Sequence, residues 1–140
     1  MAKIADTCPD TRFILDHCGN PDLRLFNPRE QEVALVAKRL QWQEGIAALA
    51  KRKNVVCKIS GIVEGAALKP TAERAAPPIN FCLDAFGPER VMFSGNWPVC
   101  LRTATLAEWV DLLKQVVGNR PVEEQRKLFH DNAAAFYGLT

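Results

Sequence analysis

The stretch Asn54-Val55-Val56-Cys57-Lys58-Ile59-Ser60-Gly61 carries the fold in outline. A turn-forming Asn opens it, four apolar residues surround a single Lys, and a Gly closes it. A run this short, apolar almost throughout rather than alternating, suits a strand covered on both faces, which is what a parallel sheet with crossover helices produces. Two other segments have the same form. Arg12-Phe13-Ile14-Leu15-Asp16-His17 follows Cys8-Pro9-Asp10 and runs into Gly19. Arg90-Val91-Met92-Phe93-Ser94 follows Gly87-Pro88-Glu89 and runs into Gly95. The sequence therefore predicts three parallel strands.

Helical patterns lie between and after them. From about Arg29 to Lys53, Val33, Val36, Ala37, Leu40, Ile46, Ala47 and Leu49 recur at helical spacing, with Gly45 as a point where the segment bends or splits. Pro77 and Pro78 are placed to open a helix through Ile79, Cys82, Leu83 and Phe86, stopped by Gly87-Pro88. Thr105 and Glu108 have capping-box spacing ahead of a helix with Leu106, Trp109, Val110, Leu113 and Val117 on one face, ended by Gly118. Pro121 starts a last helical region, and a shorter turn from Ala133 to Tyr137 is capped by Gly138. The order β-α-β-α-β-α-α implies right-handed crossovers in a single α/β domain over residues 1–140.

Composition excludes several classes. With 140 residues, 48% hydrophobic and 24% charged, the chain is an ordinary globular domain, able to bury roughly two thirds of its unfolded surface. The net charge is +2, and the longest basic block, Lys51-Arg52-Lys53, falls at a helix C-terminus, where it offsets the helix dipole; nucleic acid is not an expected partner. The apolar stretch from Val91 to Leu101 is shorter than the roughly 20 residues of a membrane span and is broken by Asn96 and Pro98. No apolar segment follows the charged N-terminus as in a signal peptide, so the expected location is cytoplasmic. Five scattered cysteines without a CxxC pair read as reduced thiols, mostly buried, and not as a zinc site.

In parallel sheets ligands bind beyond the carboxyl ends of the strands, which directs attention to His17, Ser60 and Asn96 with their neighbours. His17, at a strand end before Gly19, is placed to act as base, hydrogen-bond donor or metal ligand, against the plainer reading of a core His bonded to a carbonyl. Asp16 points to the other side of the strand, so no Asp-His dyad is implied. Lys58, costly within an apolar run, shares a face with Val56 and Ser60 and needs a partner, either a substrate carboxylate or an internal acid. Gly95-Asn96-Trp97-Pro98 has the makings of a pocket rim, with Asn96 presenting an amide and Trp97-Pro98 a rigid wall; a tight turn over a buried Trp is the alternative. His130 reads as a cap or surface residue, and Asn132 as the cap of the final turn. No phosphate loop, GxSxG elbow, GxGxxG or HExxH occurs, and two His cannot supply a multi-imidazole metal centre.

The segments FILDHCGNP, NVVCKISG, FGPERVMFSGNWPVC and NAAAFYGL together resemble the carboxyl-terminal half of the amidohydrolase-related family (amidohydrolase family 2), nearest its sugar-lactonase branch. The resemblance implies the last three βα units, strands six to eight, of a TIM (β/α)8 barrel, with Met1 to Cys8 as the end of the fifth helix. It implies water attack on a lactone or amide carbonyl without a metal or other cofactor. His17 matches the active-site His after strand six. Asn96 stands where the family has the Asp that takes the proton from water, and an amide cannot do so. Lys58 and Trp97 fall in the implied substrate site, for a small lactone or carboxylate. The family's first-strand His-x-His motif and its strands two to five have no counterpart in these 140 residues, about half of a barrel of roughly 250.

Two readings follow. One is a lactonase-like hydrolase domain, incomplete or impaired as a lone chain and matched to an N-terminal half-barrel. The other is a non-catalytic half-barrel that self-associates as a homodimer, since three strands leave open edges and an apolar inner face. A flavodoxin-like binding module is weaker for lack of a phosphate loop.

Overall fold

The structure, a computed structural model, describes residues 2–26, 32–64 and 71–139. Three parallel strands form one sheet in the order β1 (Phe13–Leu15), β2 (Val55–Ile59), β3 (Val91–Phe93). Leu15 lies opposite Cys57, Cys57 opposite Val91 and Ile59 opposite Phe93. The three apolar runs of the sequence are the three strands, each trimmed at its ends.

Alternation puts Leu15, Val55, Cys57, Ile59 and Val91 on one face, and this face is the core side. Helices α2 (Val33–Ala50) and α3 (Ala72–Phe86) pack on it, with α4 (Leu106–Val117) stacked against α3. Val55, Ile59, Ile79 and Leu113 lose all their exposed surface there, each contributing roughly 1.5–3 kcal/mol of apolar burial. A short helix, α1 (Ala2–Thr7), precedes β1 and adds Ala5 to the core.

Helix α2 runs through Gly45 without a break, because a Gly inside a long helix costs only about 1 kcal/mol. Arg29, where the sequence pattern begins, is outside the described residues. Only the C-terminal half of α2 is well buried, through Ile46, Leu49 and Ala50, whereas Val33, Ala37 and Leu40 are exposed. The carbonyls at its end are held by arginines. Arg90 donates to Ala50 O, Arg52 O and Val55 O. Arg52 reaches back to Ala48 O and makes a two-pronged pair with Asp6 at 2.7 and 2.9 Å. That role answers for Arg52 within the basic triplet.

Pro77 and Pro78 do not open α3. The helix starts at Ala72, where the Thr71 hydroxyl accepts from Arg74 N, and the prolines sit in its second turn. Their missing N–H groups leave the carbonyls of Glu73 and Arg74 without helical donors, and both residues are exposed to water, which supplies them. The capping box at Thr105 and Glu108 forms as the spacing predicts. The last region is one continuous helical path: α5 (Val122–Arg126), a widened turn over Lys127–Asp131 and α6 (Asn132–Tyr137), ended by Gly138 at φ 65°.

The inner face of the sheet is not bare. Helix α6 crosses it from β3 toward β1. Asn132 donates to Pro88 O and Val91 O at 2.6 Å each. Tyr137 lies 5.9 Å from Lys58 Nζ, and Arg12 bonds Phe136 O while stacking on its ring at 4.4 Å. Met92 is buried beneath this cover and Val56 is half-buried. Asn132 thus anchors the helix to the strand rather than capping the final turn. Asn132→Leu, which removes both donors and leaves the half-buried Val91 carbonyl unpaired, is expected to destabilise the chain by about 1–3 kcal/mol in urea unfolding.

Candidate active site

Residues 16 to 20 leave β1 in an unusual conformation. His17 (φ 57°), Cys18 (φ 51°), Gly19 (φ 70°) and Asn20 (φ 53°) are all left-handed, and Asn20 N closes the turn on His17 O at 2.7 Å. Each non-glycine residue held this way costs about 1–2 kcal/mol, and Asn tolerates it better than His or Cys. A run of four is therefore a strained element that the surrounding structure must over-determine.

The support comes from the end of β2. His17 Nδ1 lies 2.8 Å from the hydroxyl of Ser60, the one buried polar side chain among the described residues. Gly61 (φ 66°) lies directly against the imidazole: a Cβ placed there would come within 2.5 Å of His17 Cβ and 2.6 Å of its Cγ. Gly at 61 is thus required twice, by its backbone angle and by the ring in front of it. In sequence it marked only the end of a strand. Nδ1 is committed to Ser60, which leaves Nε2 for a ligand.

A second pair forms across the same mouth. Asn96, also left-handed at φ 48°, donates from Nδ2 to Glu64 Oε1 at 2.9 Å. The other oxygen, Glu64 Oε2, is buried and has no hydrogen-bond partner among the described residues. Glu64 carried no signal in the sequence, since it lies five residues beyond the strand in a loop. The loop 60–64 therefore supplies Ser60 and Gly61 to His17 and Glu64 to Asn96. Its path is fixed by Thr103 Oγ1, which donates to Val63 O, and Ser94 N, which donates to Ile59 O.

Lys58 faces the inner side, and its partner is internal: Nζ sits 3.3 Å from Asp16 Oδ1. Burial works against its charge, yet the contacts with Tyr137 and Asp16 outweigh it and hold the ammonium above its ordinary range. Trp97 is 66% exposed, and the buried indole below the turn is Trp109, whose Nε1 donates to Ser94 O. His130 is exposed and paired with Asp131.

Parallel strands with α2 and α3 on their outer face and polar side chains at their carboxyl ends are the arrangement of a barrel-type α/β fold. The chain belongs to the amidohydrolase family, whose profile, described as amidohydrolase, matches residues 1–139. It is 34% identical over 133 residues to an L-fucono-1,5-lactonase of Burkholderia multivorans, covering 91% of this chain and 43% of that one. An amidohydrolase of Burkholderia multivorans, solved with bound HEPES in one crystal form and with bound zinc in another, superposes with TM-scores of 0.85 and 0.83. The identities are 30% and 29%, over 99% of this chain and 48% of that one. The fold is thus TIM-barrel-like, and the chain spans about half the length of these relatives. Among the described residues, no His, Asp or Glu joins His17 in a group of three converging donors, so these residues alone do not make a zinc centre. No described helix is long and apolar enough to cross a membrane.

Gly61→Ala is expected to lower stability by about 1–3 kcal/mol and to push the imidazole off Ser60. Urea unfolding reads the first, and the His17 ring resonances read the second. Ser60→Ala should cost about 1 kcal/mol and leave the left-handed turn in place.

Proposed function

We propose that the chain supplies part of a lactone-hydrolysing site in which Glu64 is the carboxylate that accepts the proton from water. The observation that carries this reading is the Asn96–Glu64 bond, with a buried, unpartnered Glu64 oxygen beside it. An amide at position 96 cannot take a proton, but here it holds a residue that can. Asn96 uses Nδ2 for this bond, so its Oδ1 is free to accept from the same water. Likeness to a fuconolactonase supports a sugar lactone as the substrate class.

The steps follow from these groups. In this reading the Ser60 hydroxyl donates to Nδ1, so that His17 carries its proton on Nε2 and donates it as a hydrogen bond to the lactone carbonyl. Water attacks the carbonyl carbon and its proton passes to Glu64. The ring C–O bond then breaks, and Glu64 returns the proton to the leaving alkoxide, giving the open hydroxy acid. Trp97 forms an apolar wall at the rim. Lys58, tied to Asp16, sets the inner boundary of the site and reaches a substrate carboxylate only by giving up that pair.

Hydrolysis of aldono-1,5-lactones by the purified chain is the assay, and any turnover is expected to depend on Glu64. Glu64→Gln should lower kcat/KM by about 10²- to 10⁴-fold, and adding Asn96→Asp to it should restore part of the loss by returning an acid to the mouth. Absence of turnover in all forms would remove the claim that this chain alone is a hydrolase.

A self-associating module is the second reading, favoured by one observation: Trp97, Val99, Leu101 and Leu106 are all exposed within ten residues of the mouth. Light scattering at micromolar concentration should then show a dimer that Trp97→Ser weakens. A stable monomer would exclude it.

A further inference from the structure

Three sulfurs converge behind the His17 turn. Cys18 comes from the left-handed turn after β1, Cys57 from β2 and Cys82 from α3, and their Sγ atoms all lie within 4.8 Å of one another. None of the three residues has exposed surface. Cys18 and Cys57 Sγ lie 3.7 and 3.8 Å from the same carbonyl, Lys58 O. No His, Asp or Glu among the described residues joins the group.

Packing alone explains one buried cysteine, because a thiol behaves as a small hydrophobe. It does not explain why Cys18 reaches this place through backbone at φ 51°, ψ 26°, a conformation that costs energy at a residue other than Gly or Asn. The turn that presents His17 to the mouth is also the turn that carries Cys18 to the other two sulfurs. Hydrogen bonds from Cys57 and then Cys82 hold the Cys18 thiol well below its ordinary range despite burial, while the same contacts push Cys57 and Cys82 up.

From this geometry we infer that Cys18, Cys57 and Cys82 form a binding site for a soft, three-coordinate cation, with copper(I) as its chemical type. Metal–sulfur bonds of about 2.3 Å place three sulfurs in a plane around the ion about 4.0 Å apart, so the cluster needs to contract by less than about 1 Å. Thiolate sulfur selects soft ions. Zinc has the same bond length but takes four ligands, and no His, Asp or Glu among the described residues supplies the fourth beside these three sulfurs. The ion displaces thiol protons, and against one thiolate its single positive charge leaves the core with no net charge. Each further deprotonation leaves negative charge in an apolar surround, which limits affinity at low pH.

Titration of the reduced full-length chain under argon, with acetonitrile-stabilised copper(I) and a competing cuprous chelator, tests the site. The Cys8→Ser background removes the exposed thiol. Expected are one equivalent bound, thiolate-to-copper absorption in the ultraviolet, an all-sulfur shell by X-ray absorption, and protection of Cys18, Cys57 and Cys82 from alkylation. Zinc should give none of these at the same concentration. Cys82→Ser and Cys82→Val should each weaken binding at least tenfold, while Cys100→Ser leaves it unchanged. Absence of saturable binding, a shell containing nitrogen or oxygen, equal binding by zinc, or undiminished binding in Cys82→Val would each overturn the proposal. The wild-type readouts decide the matter even if a variant fails to fold, and none of them depends on lactone turnover.

Discussion

The pairing of both outer strands with β2 is the constraint on which everything else hangs. Neither β1 nor β3 has another strand neighbour among the described residues, so each takes its register from β2, through Leu15 opposite Cys57 and Cys57 opposite Val91. A slip of one residue would exchange the faces of a strand. Lys58 would then enter the core and Cys57 would leave it. The loop leaving β2 inherits this position and delivers Ser60, Gly61 and Glu64 to the two neighbouring strand ends. The middle strand thus sets the sheet and the mouth together.

The mouth concentrates backbone strain. His17, Cys18, Asn20 and Asn96 are the four non-glycine residues at positive φ among the described ones, and all lie just beyond a strand's carboxyl end. A packed core and a set of specific bonds hold them there: Ser60 to His17, Trp42 Nε1 to Cys18 O, and Glu64 to Asn96. Trp42 itself is fixed by Phe26 and Phe81, at 5.2 and 5.3 Å. Strain of this kind persists when other contacts outweigh it, and it commonly marks positions where side-chain direction matters more than local stability.

How much of this could be read in the sequence depends on the range of the signal. The strands were legible because each is a contiguous apolar run with a turn before it and Gly soon after. The Thr105 capping box was legible because its two partners are three residues apart. The start of α3 was misread because proline is a strong local mark, and the Thr71 hydroxyl that nucleates the helix six residues earlier is a weak one. His17 and Asn96 stood out as strand-end residues. Glu64 did not, because its contact with Asn96 spans 32 residues and follows no pattern of spacing. The three cysteines are separated by 39 and 25 positions, so only the fold brings them together.

The loop after β2 also changes what Asn96 means. Taken alone, an amide at this position offers no group that accepts a proton from water. The structure places a carboxylate in contact with that amide, from the neighbouring strand end, with one oxygen buried and unpartnered. That oxygen keeps its lone pairs for a further donor, which on the proposed reading is the water. Neighbouring strand ends of a barrel open onto the same space, so a side chain from one can serve a site framed by another. On the proposed reading, an Asn at 96 serves the site as long as the loop from β2 keeps Glu64 against it.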